Sequence, residues 1–127
     1  MRQLMKILVG YDGSDLSHQA LNEAIDLAEQ FKGTILVLSV FWEETESEKN
    51  QILLRAEKRL METFVKYDIV SENSKSPPSR IGRMAKEEGV DLIAIGSKGR
   101  GGAKVWVLGS TSSKVIEEAP CPILVIK

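Results

Sequence analysis

The stretch Ile93–Ala119, IAIGSKGRGGAKVWVLGSTSSKVIEEA, contains the features that determine how this chain folds. It begins with a short apolar run, continues through a glycine-rich segment and ends in a pattern typical of a helix. Because glycine is entropically costly to order, clustered glycines indicate a backbone that must turn sharply or let other atoms approach closely. Half of the chain's 10 glycines lie in this stretch, at Gly96, Gly99, Gly101, Gly102 and Gly109.

The same order, a short apolar run and then an amphipathic stretch, continues along the whole chain. Runs of this kind are typical of strands that are covered on both faces. Their alternation with helices predicts an α/β fold, an open, doubly wound, parallel sheet of five strands with helices on both faces. The predicted strands are Lys6–Gly10, Thr34–Val40, a short or marginal one within Asp68–Ser76, Asp91–Gly96 and Cys121–Lys127.

Apolar residues at helical spacing mark the helices between these strands. Ser14 or Asp15 is predicted to cap the first helix, and Gly33 to follow its C-terminus. Ser76 followed by Pro77 predicts the start of the third helix. The four apolar stripes are Leu21, Ala24, Ile25, Ala28 and Phe31; Leu53, Ala56, Leu60 and Phe64; Ile81, Met84 and Ala85; and Val115, Ile116 and Ala119.

Composition limits the possible functions. A chain of 127 residues predicts one domain, residues 1–127. A net charge of −1 argues against bulk electrostatic binding to nucleic acid or to an anionic membrane, so neither is expected as a partner. The single cysteine, Cys121, excludes an intrachain disulfide and a C-x-x-C site. The opening apolar run is too short for a signal peptide or membrane span, and we expect a cytoplasmic protein.

The glycine segment can be interpreted as a phosphate cradle. In open α/β sheets, ligands lie beyond the carboxyl ends of the strands. Gly96 and Gly99 would let ligand atoms approach a strand end, and Gly109 would begin a helix through unusual backbone angles. Unpaired N–H groups at a helix start attract phosphate, and here they accompany Ser110, Thr111 and Ser112. Simple helix capping explains the same residues, so spacing alone leaves both interpretations open.

Two common nucleotide-binding loops are excluded by spacing. The segment lacks the G-x-x-x-x-G-K-[ST] of a P-loop, and no G-x-G-x-x-G follows the first strand. The only histidine, His18, has no partner for a metal site or a catalytic triad and is expected on the surface. We predict neither catalytic residues nor a metal site. Trp42, after the second strand, either flanks a ligand base or serves packing, and Trp106 either packs the loop or contacts a partner.

The segment GSKGRGGAKVWVLGST resembles the G-x2-G-x9-G-[ST] signature of the universal stress protein family, in its ATP-binding branch. The match is Gly96, Gly99, nine residues, then Gly109 and Ser110. The resemblance extends over nearly the whole chain, from KILVGYDGSDLSHQAL to LGSTSSKVIEEAPCPILVIK. It implies the adenine nucleotide alpha hydrolase-like fold with strand order 3-2-1-4-5, usually dimeric. It also implies ATP, with or without Mg²⁺, between strands one and four.

The resemblance also implies roles for individual residues. Asp12 and Val40 match the adenine and ribose end of the site, and Gly96 and Gly99 match the ribose and phosphate wall. The phosphate cradle matches Gly109, Ser110, Thr111 and Ser112. Lys98 stands where the family often has histidine, and Thr111 where an aliphatic residue is common. The chain is short for the family around the exit of strand two and in Asp68–Ser76.

Three functional hypotheses follow. The first is a regulatory or switch module of the stress response that holds ATP with at most slow hydrolysis. The second is a stress-response interaction protein that uses no nucleotide. The third is an ATP-using enzyme, a slow ATPase or a PP-loop-like pyrophosphatase acting through YDGSDLS, Tyr11–Ser17. A bare fifth strand would promote aggregation, which predicts a homodimer paired through that strand.

Overall fold

A computed structural model describes residues 5–98 and 109–127 of the chain. Strands and helices alternate along it in the predicted order. The elements are β1 (Lys6–Gly10), α1 (Asp15–Phe31), β2 (Thr34–Phe41), α2 (Glu46–Met61), β3 (Lys66–Asn73), α3 (Pro77–Glu88), β4 (Leu92–Gly96), α4 (Ser110–Glu118) and β5 (Ile123–Ile126).

All strand pairs in the sheet are parallel, in the order β3-β2-β1-β4-β5. This confirms the α/β fold and the strand order implied by the resemblance. Strand β1 lies at the centre, where Leu8 is paired with Leu36 of β2 and with Ile93 of β4. From β1, strands β2 and β3 are added on one side of the sheet and β4 and β5 on the other. The carboxyl ends of β1 and β4 therefore flank the point where the strand order reverses, at which ligands bind in such sheets.

Alternating side chains of the sheet face two separate cores. Ile7 and Val9 of β1 pack on the face covered by α1 and α2, with Leu21, Ile25 and Ala56 among their neighbours. The opposite face of β1 presents Leu8 to the core formed with α3 and α4, through Ile81, Ala85 and Val115. Burial on both faces explains the continuous apolar runs of β1, β2 and β4.

The prediction of a short or marginal third strand was wrong. Strand β3 has eight residues, each paired with a residue of β2 from Lys66↔Thr34 to Asn73↔Phe41. It is an edge strand with alternating half-buried and exposed residues. Backbone pairing with β2 therefore forms this strand without a continuous apolar run, and a search for buried strands underestimates it.

The C-terminal ends of α1 and α2 also differ from the expectations. Lys32, not Gly33, adopts the left-handed conformation after α1 (φ 55°). Gly33 is required instead by close packing, because a Cβ there would lie 2.6 Å from the carbonyl oxygen of Met5. Phe31 and Phe64 are exposed rather than part of the apolar stripes, and Phe64 lies beyond the end of α2. Ser14 caps α1 as predicted, accepting a bond from the Ser17 amide.

No helix in the described ranges 5–98 and 109–127 combines the length and the apolar character needed to cross a membrane.

Candidate functional site

A crevice opens where the carboxyl ends of β1 and β4 separate. Its walls come from five parts of the chain: the β1–α1 loop, the end of β2, the first turns of α3, the end of β4 and the first turns of α4. The space within it, including its open mouth, is about 620 Å³. The floor is apolar, with Leu38, Ile81, Ile95 and Val115 among its residues.

Most of the predicted site residues meet in this crevice. Asp12, Val40, Gly96, Lys98, Thr111 and Ser112 all line it, although they are spread over a hundred positions of sequence. Gly109 and Ser110 lie at the start of α4, beside the lining residues. Gly99 and Trp106 lie outside the described residues, so the structure gives no position for them.

The β1–α1 loop is shaped by hydrogen bonds of its own residues. The Asp12 carboxylate accepts a bond from the Ser14 amide (2.9 Å), and the Ser14 hydroxyl accepts one from the Ser17 amide (3.2 Å). Gly13 between them has a φ of +84°. A Cβ at Gly13 would also lie 2.8 Å from Cγ1 of Ile52. Only glycine fits there, and the tight loop places Asp12 in the wall of the crevice.

Gly96 is required by helix packing, which the sequence did not indicate, and its part in ligand approach stays a prediction. A Cβ on Gly96 would lie 2.8 Å from Cβ of Leu16 and 3.1 Å from the backbone nitrogen of Ser17. The first turn of α1 therefore rests directly on the end of β4. Gly96 contributes to the site by bringing these two walls of the crevice together.

The expectation of unusual backbone angles at Gly109 was wrong, whereas its place in the phosphate cradle stays a prediction. Its φ of −68° and ψ of 162° are accessible to any residue, so unusual backbone angles do not require glycine here. The close neighbours of a Cβ would be Cα of Lys98 at 3.3 Å and the carbonyl oxygen of Ser97 at 3.4 Å. The Gly109 amide donates a 2.7 Å bond to that same Ser97 oxygen. Gly109 thus attaches the start of α4 to the chain leaving β4.

The first turn of α4 presents backbone donors to the crevice. Gly109, the N-cap residue, has no side chain to satisfy them, and no acidic residue occurs in the first turn. Such an N-terminus carries partial positive charge and favours an anion. Thr111 is exposed and lines the crevice, whereas Ser112 is buried and its hydroxyl donates a 2.7 Å bond to the Gly96 carbonyl oxygen. The Ser112 hydroxyl therefore donates its proton to a hydrogen bond within the fold.

A buried hydroxyl next to this turn has no partner among the described residues. Ser97 is fully buried, and its Oγ makes no hydrogen bond within the described ranges. Its backbone, by contrast, is held on both sides: the amide donates to Ile126 and the carbonyl accepts from Gly109. An unpaired buried hydroxyl is destabilising. No pattern in the residues of β4 before Ser97 predicted a buried hydroxyl at this position.

A pair of side chains behind the loop was also missed from the sequence. The Tyr11 hydroxyl lies 2.8 Å from Nδ1 of His18, and His18 is half-buried rather than on the surface as expected. Burial raises the pKa of Tyr11 to about 12. Burial, followed by the charges of Arg55 and Arg59, lowers the pKa of His18 from its ordinary 6.5. Both groups are therefore neutral near pH 7.

Trp42 does not line the crevice. Its indole is 54% exposed, and the ammonium group of Lys75 lies 4.9 Å from the ring centroid. Of its two predicted roles, flanking a ligand base is not supported by this position. Ser14, Ser17 and Pro77 line the crevice instead and were not among the predicted residues. The sequence signals near them were the N-caps of α1 and α3 and, for Ser14 and Ser17, the YDGSDLS loop of the third hypothesis.

Comparison with known proteins gives consistent results. A family model described as the universal stress protein family matches residues 4–68 and 41–127. Universal stress protein YxiE of Bacillus subtilis is 32% identical over 146 residues, covering 96% of this chain and 98% of the relative. The solved structure of hypothetical protein MJ0577 is 27% identical with a TM-score of 0.85, covering 99% and 97% of the two chains.

A universal stress protein from Archaeoglobus fulgidus, solved in complex with dAMP, has the same fold. Its TM-score is 0.80 at 23% identity, with 97% of this chain and 98% of the other covered. Further structures of this fold are described as complexes with cAMP and with AMP. Adenine nucleotides therefore occur as ligands among structural neighbours of the chain.

Proposed function

Because the chain belongs to the universal stress protein family, we propose that it binds an adenine nucleotide, ATP first of all, in the crevice between β1 and β4. The observation that carries the proposal is the convergence of predicted residues from separate parts of the chain on one crevice that includes the start of α4. Neighbours of the same fold that hold AMP, dAMP or cAMP support the choice of an adenine nucleotide.

The start of α4 is the proposed phosphate end. The N-cap residue of α4 is a glycine and offers no side chain to these backbone N–H groups, which are suited to phosphate oxygens, and the partial charge of the helix favours an anion. Lys98 and Thr111 also line the crevice, and they supply a positive charge and a hydroxyl. Mg²⁺ would be bound mainly through the phosphates, since this ion rarely needs a cage of protein ligands.

The opposite end of the crevice is the proposed adenine and ribose end. Val40 and Pro77, with Ile81 of the apolar floor, offer a surface suited to a flat base. Asp12 lies at the strand exit beside them, where a carboxylate can accept hydrogen bonds from ribose hydroxyls. The crevice thus offers both the apolar and the polar groups that a nucleoside phosphate requires.

We propose a regulatory role in the stress response, in which bound ATP stabilises one conformation or assembly of the protein. A ligand shifts such an equilibrium only by its difference in affinity for the two states. The proposed assembly is a homodimer paired through β5. This edge strand is apolar, and all four of its residues, Ile123–Ile126, are only half-buried. Light scattering at micromolar concentration is expected to give the mass of two chains, and a mass of one chain would refute the dimer.

Calorimetry with ATP tests the binding proposal. Wild type is expected to bind, and Gly109→Val is expected to abolish most of the binding, because its side chain would push Lys98 away from the start of α4. Gly82→Val is the control: a Cβ at this position of α3 has no atom nearer than Glu118 at 3.8 Å. Absence of ATP binding by folded wild type would reject the proposal and favour a nucleotide-independent interaction protein.

A further inference from the structure

One peptide unit connects helix α2 to the carboxylate in the crevice. On one side, Nη1 of Arg55 donates a 2.7 Å bond to the carbonyl oxygen of Gly13. On the other side, the amide of Ser14 donates a 2.9 Å bond to Oδ1 of Asp12. The Gly13 carbonyl and the Ser14 amide belong to the same peptide group, so Arg55 and Asp12 hold its two ends.

The planarity of the peptide makes this connection stiff. The C=O and N–H of a trans peptide are fixed in opposite directions in one plane, so an atom that holds the carbonyl also aims the amide. The bond from the guanidinium is charge-assisted, and donation to a carbonyl polarises the N–H of the same group. Arg55 therefore both orients and strengthens the donor that Asp12 accepts from.

The loop needs such a restraint because its central residue is a glycine. Gly13, with its φ of +84°, has more conformational freedom than any other residue type would have. Arg55 also approaches Asp15, with 3.2 Å between Nη2 and Oδ1, but the Asp15 side chain is 91% exposed and such pairs contribute little. The bond to the Gly13 carbonyl is the contact that restrains the loop.

We propose that Arg55 is a positioning residue for Asp12, and that α2 thereby sets the affinity of the crevice for the ribose hydroxyls of a nucleotide. This inference rests on the nucleotide site proposed above. Arg55 lies behind the loop and is not among the described residues that line the crevice. Its effect on a ligand must therefore pass through the Gly13–Ser14 peptide and Asp12.

Helix α2 supplies its own control. Arg59, one turn after Arg55, donates a 2.7 Å bond from Nε to Oδ1 of Asn22 on α1. Arg59 is the same residue type on the same helix as Arg55, and its hydrogen bond has the same length. Its partner, however, lies well inside α1 and away from the β1–α1 loop. Loss of Arg59 removes one hydrogen bond between α2 and α1, and loss of Arg55 removes the bond to the Gly13 carbonyl together with the exposed pair with Asp15.

The experiment compares the affinity for ATP with that for 2′,3′-dideoxy-ATP, which lacks the ribose hydroxyls. Arg55→Met is expected to weaken ATP binding about tenfold, the equivalent of one charge-assisted hydrogen bond, and to leave dideoxy-ATP binding unchanged. Arg55→Lys, which keeps a charged donor, is expected to retain most of the ATP affinity. Arg59→Met is expected to bind both nucleotides as wild type does. In an Asp12→Ala background, Arg55→Met is expected to cause no further loss.

Equal weakening of both nucleotides by Arg55→Met, or no weakening of either, would overturn the inference. If Arg55→Met does not fold, Arg55→Gln replaces it with the same expectation. The amide resonance of Ser14 gives a readout without nucleotide: its ¹H and ¹⁵N shifts should change in Arg55→Met and not in Arg59→Met. Failure of wild type to bind ATP would reject the proposed function, and the Ser14 resonance would still decide whether Arg55 orients the loop.

Discussion

The hydroxyl of Ser112 donates a 2.7 Å hydrogen bond to the carbonyl oxygen of Gly96. This bond joins the buried side of the first turn of α4 to the last residue of β4. The start of α4 is held a second time by the bond from the Gly109 amide to Ser97. The end of α4 that faces the crevice is therefore fixed by hydrogen bonds to Gly96 and Ser97, at the end of β4.

Ser112→Ala is expected to lower the free energy of unfolding by about 1–2 kcal/mol, because it leaves the Gly96 carbonyl without this donor. Urea denaturation measures the change. Ser110→Ala is the matched control, since Ser110 is exposed on the same turn, and a change below about 0.5 kcal/mol is expected for it. Equal effects of the two substitutions would show that the Ser112 bond adds no stability.

Ser39 and Ser97 form a second matched pair. Both are fully buried, but Ser39 donates a 2.7 Å bond to the Tyr11 carbonyl, while the Ser97 hydroxyl has no partner among the described residues. Ser39→Ala is expected to destabilise the protein by about 1–2 kcal/mol, and Ser97→Ala to leave stability unchanged or raise it. Chemical denaturation compares them. A loss in Ser97→Ala as large as that in Ser39→Ala would contradict this expectation.

Gly96→Ala is expected to destabilise the protein by about 1–3 kcal/mol, the range for overpacking of a close contact. Its Cβ would meet backbone as well as side-chain atoms of Leu16 and Ser17, and a backbone neighbour cannot rotate away. Gly82→Ala should have the opposite sign, because a Cβ at Gly82, inside α3, would make only ordinary van der Waals contacts with Glu118, and alanine favours helix by up to about 1 kcal/mol. Thermal melting of both variants tests the two signs together.

His18 is expected to make stability depend on pH. Its pKa is lowered in the folded protein, chiefly by burial, so below pH 6.5 the unfolded chain binds the proton more readily than the folded one. Stability contributed by neutral His18 should be complete above pH 6.5 and fall as the pH drops from 6.5 towards the folded pKa. Denaturation across that range measures it.

His18→Gln should flatten the pH dependence in this window, and the interpretation is simple because the chain has 1 histidine. An NMR titration of wild type follows the single imidazole directly and gives its folded-state pKa. A folded-state pKa at or above 6.5 would disprove the assigned direction.

Much of the fold could be predicted from local patterns. The apolar runs of β1, β2 and β4 and the stripe of α1 follow from burial on both faces of a parallel sheet, and the element order then implies a doubly wound fold. Strand β3 could not be judged in the same way, because its pairing with β2 along eight residues is a backbone interaction that leaves little pattern in an exposed edge.

Within the candidate site, residue types could be predicted but not their contacts. The spacing of Gly96, Gly109 and Ser112 correctly indicated that they belong near one strand end, and the roles assigned to them as ligand contacts stay a prediction. The spacing could not predict which atoms lie next to the glycines. Gly96 makes room for α1, which precedes it by some eighty positions in the chain. The same holds for Tyr11 with His18 and for Arg55 with Gly13.

By itself, the sequence determined which segments become strands and helices, since that choice depends on hydrophobic periodicity and on residues close together in the chain. It also determined that glycines and hydroxyls follow the fourth strand. Only the tertiary structure decided which atoms meet at the crevice, that Ser112 bonds to Gly96, and that Arg55 and Asp12 share one peptide group. Those contacts join residues of distant segments, and their geometry is set by how the helices pack on the sheet.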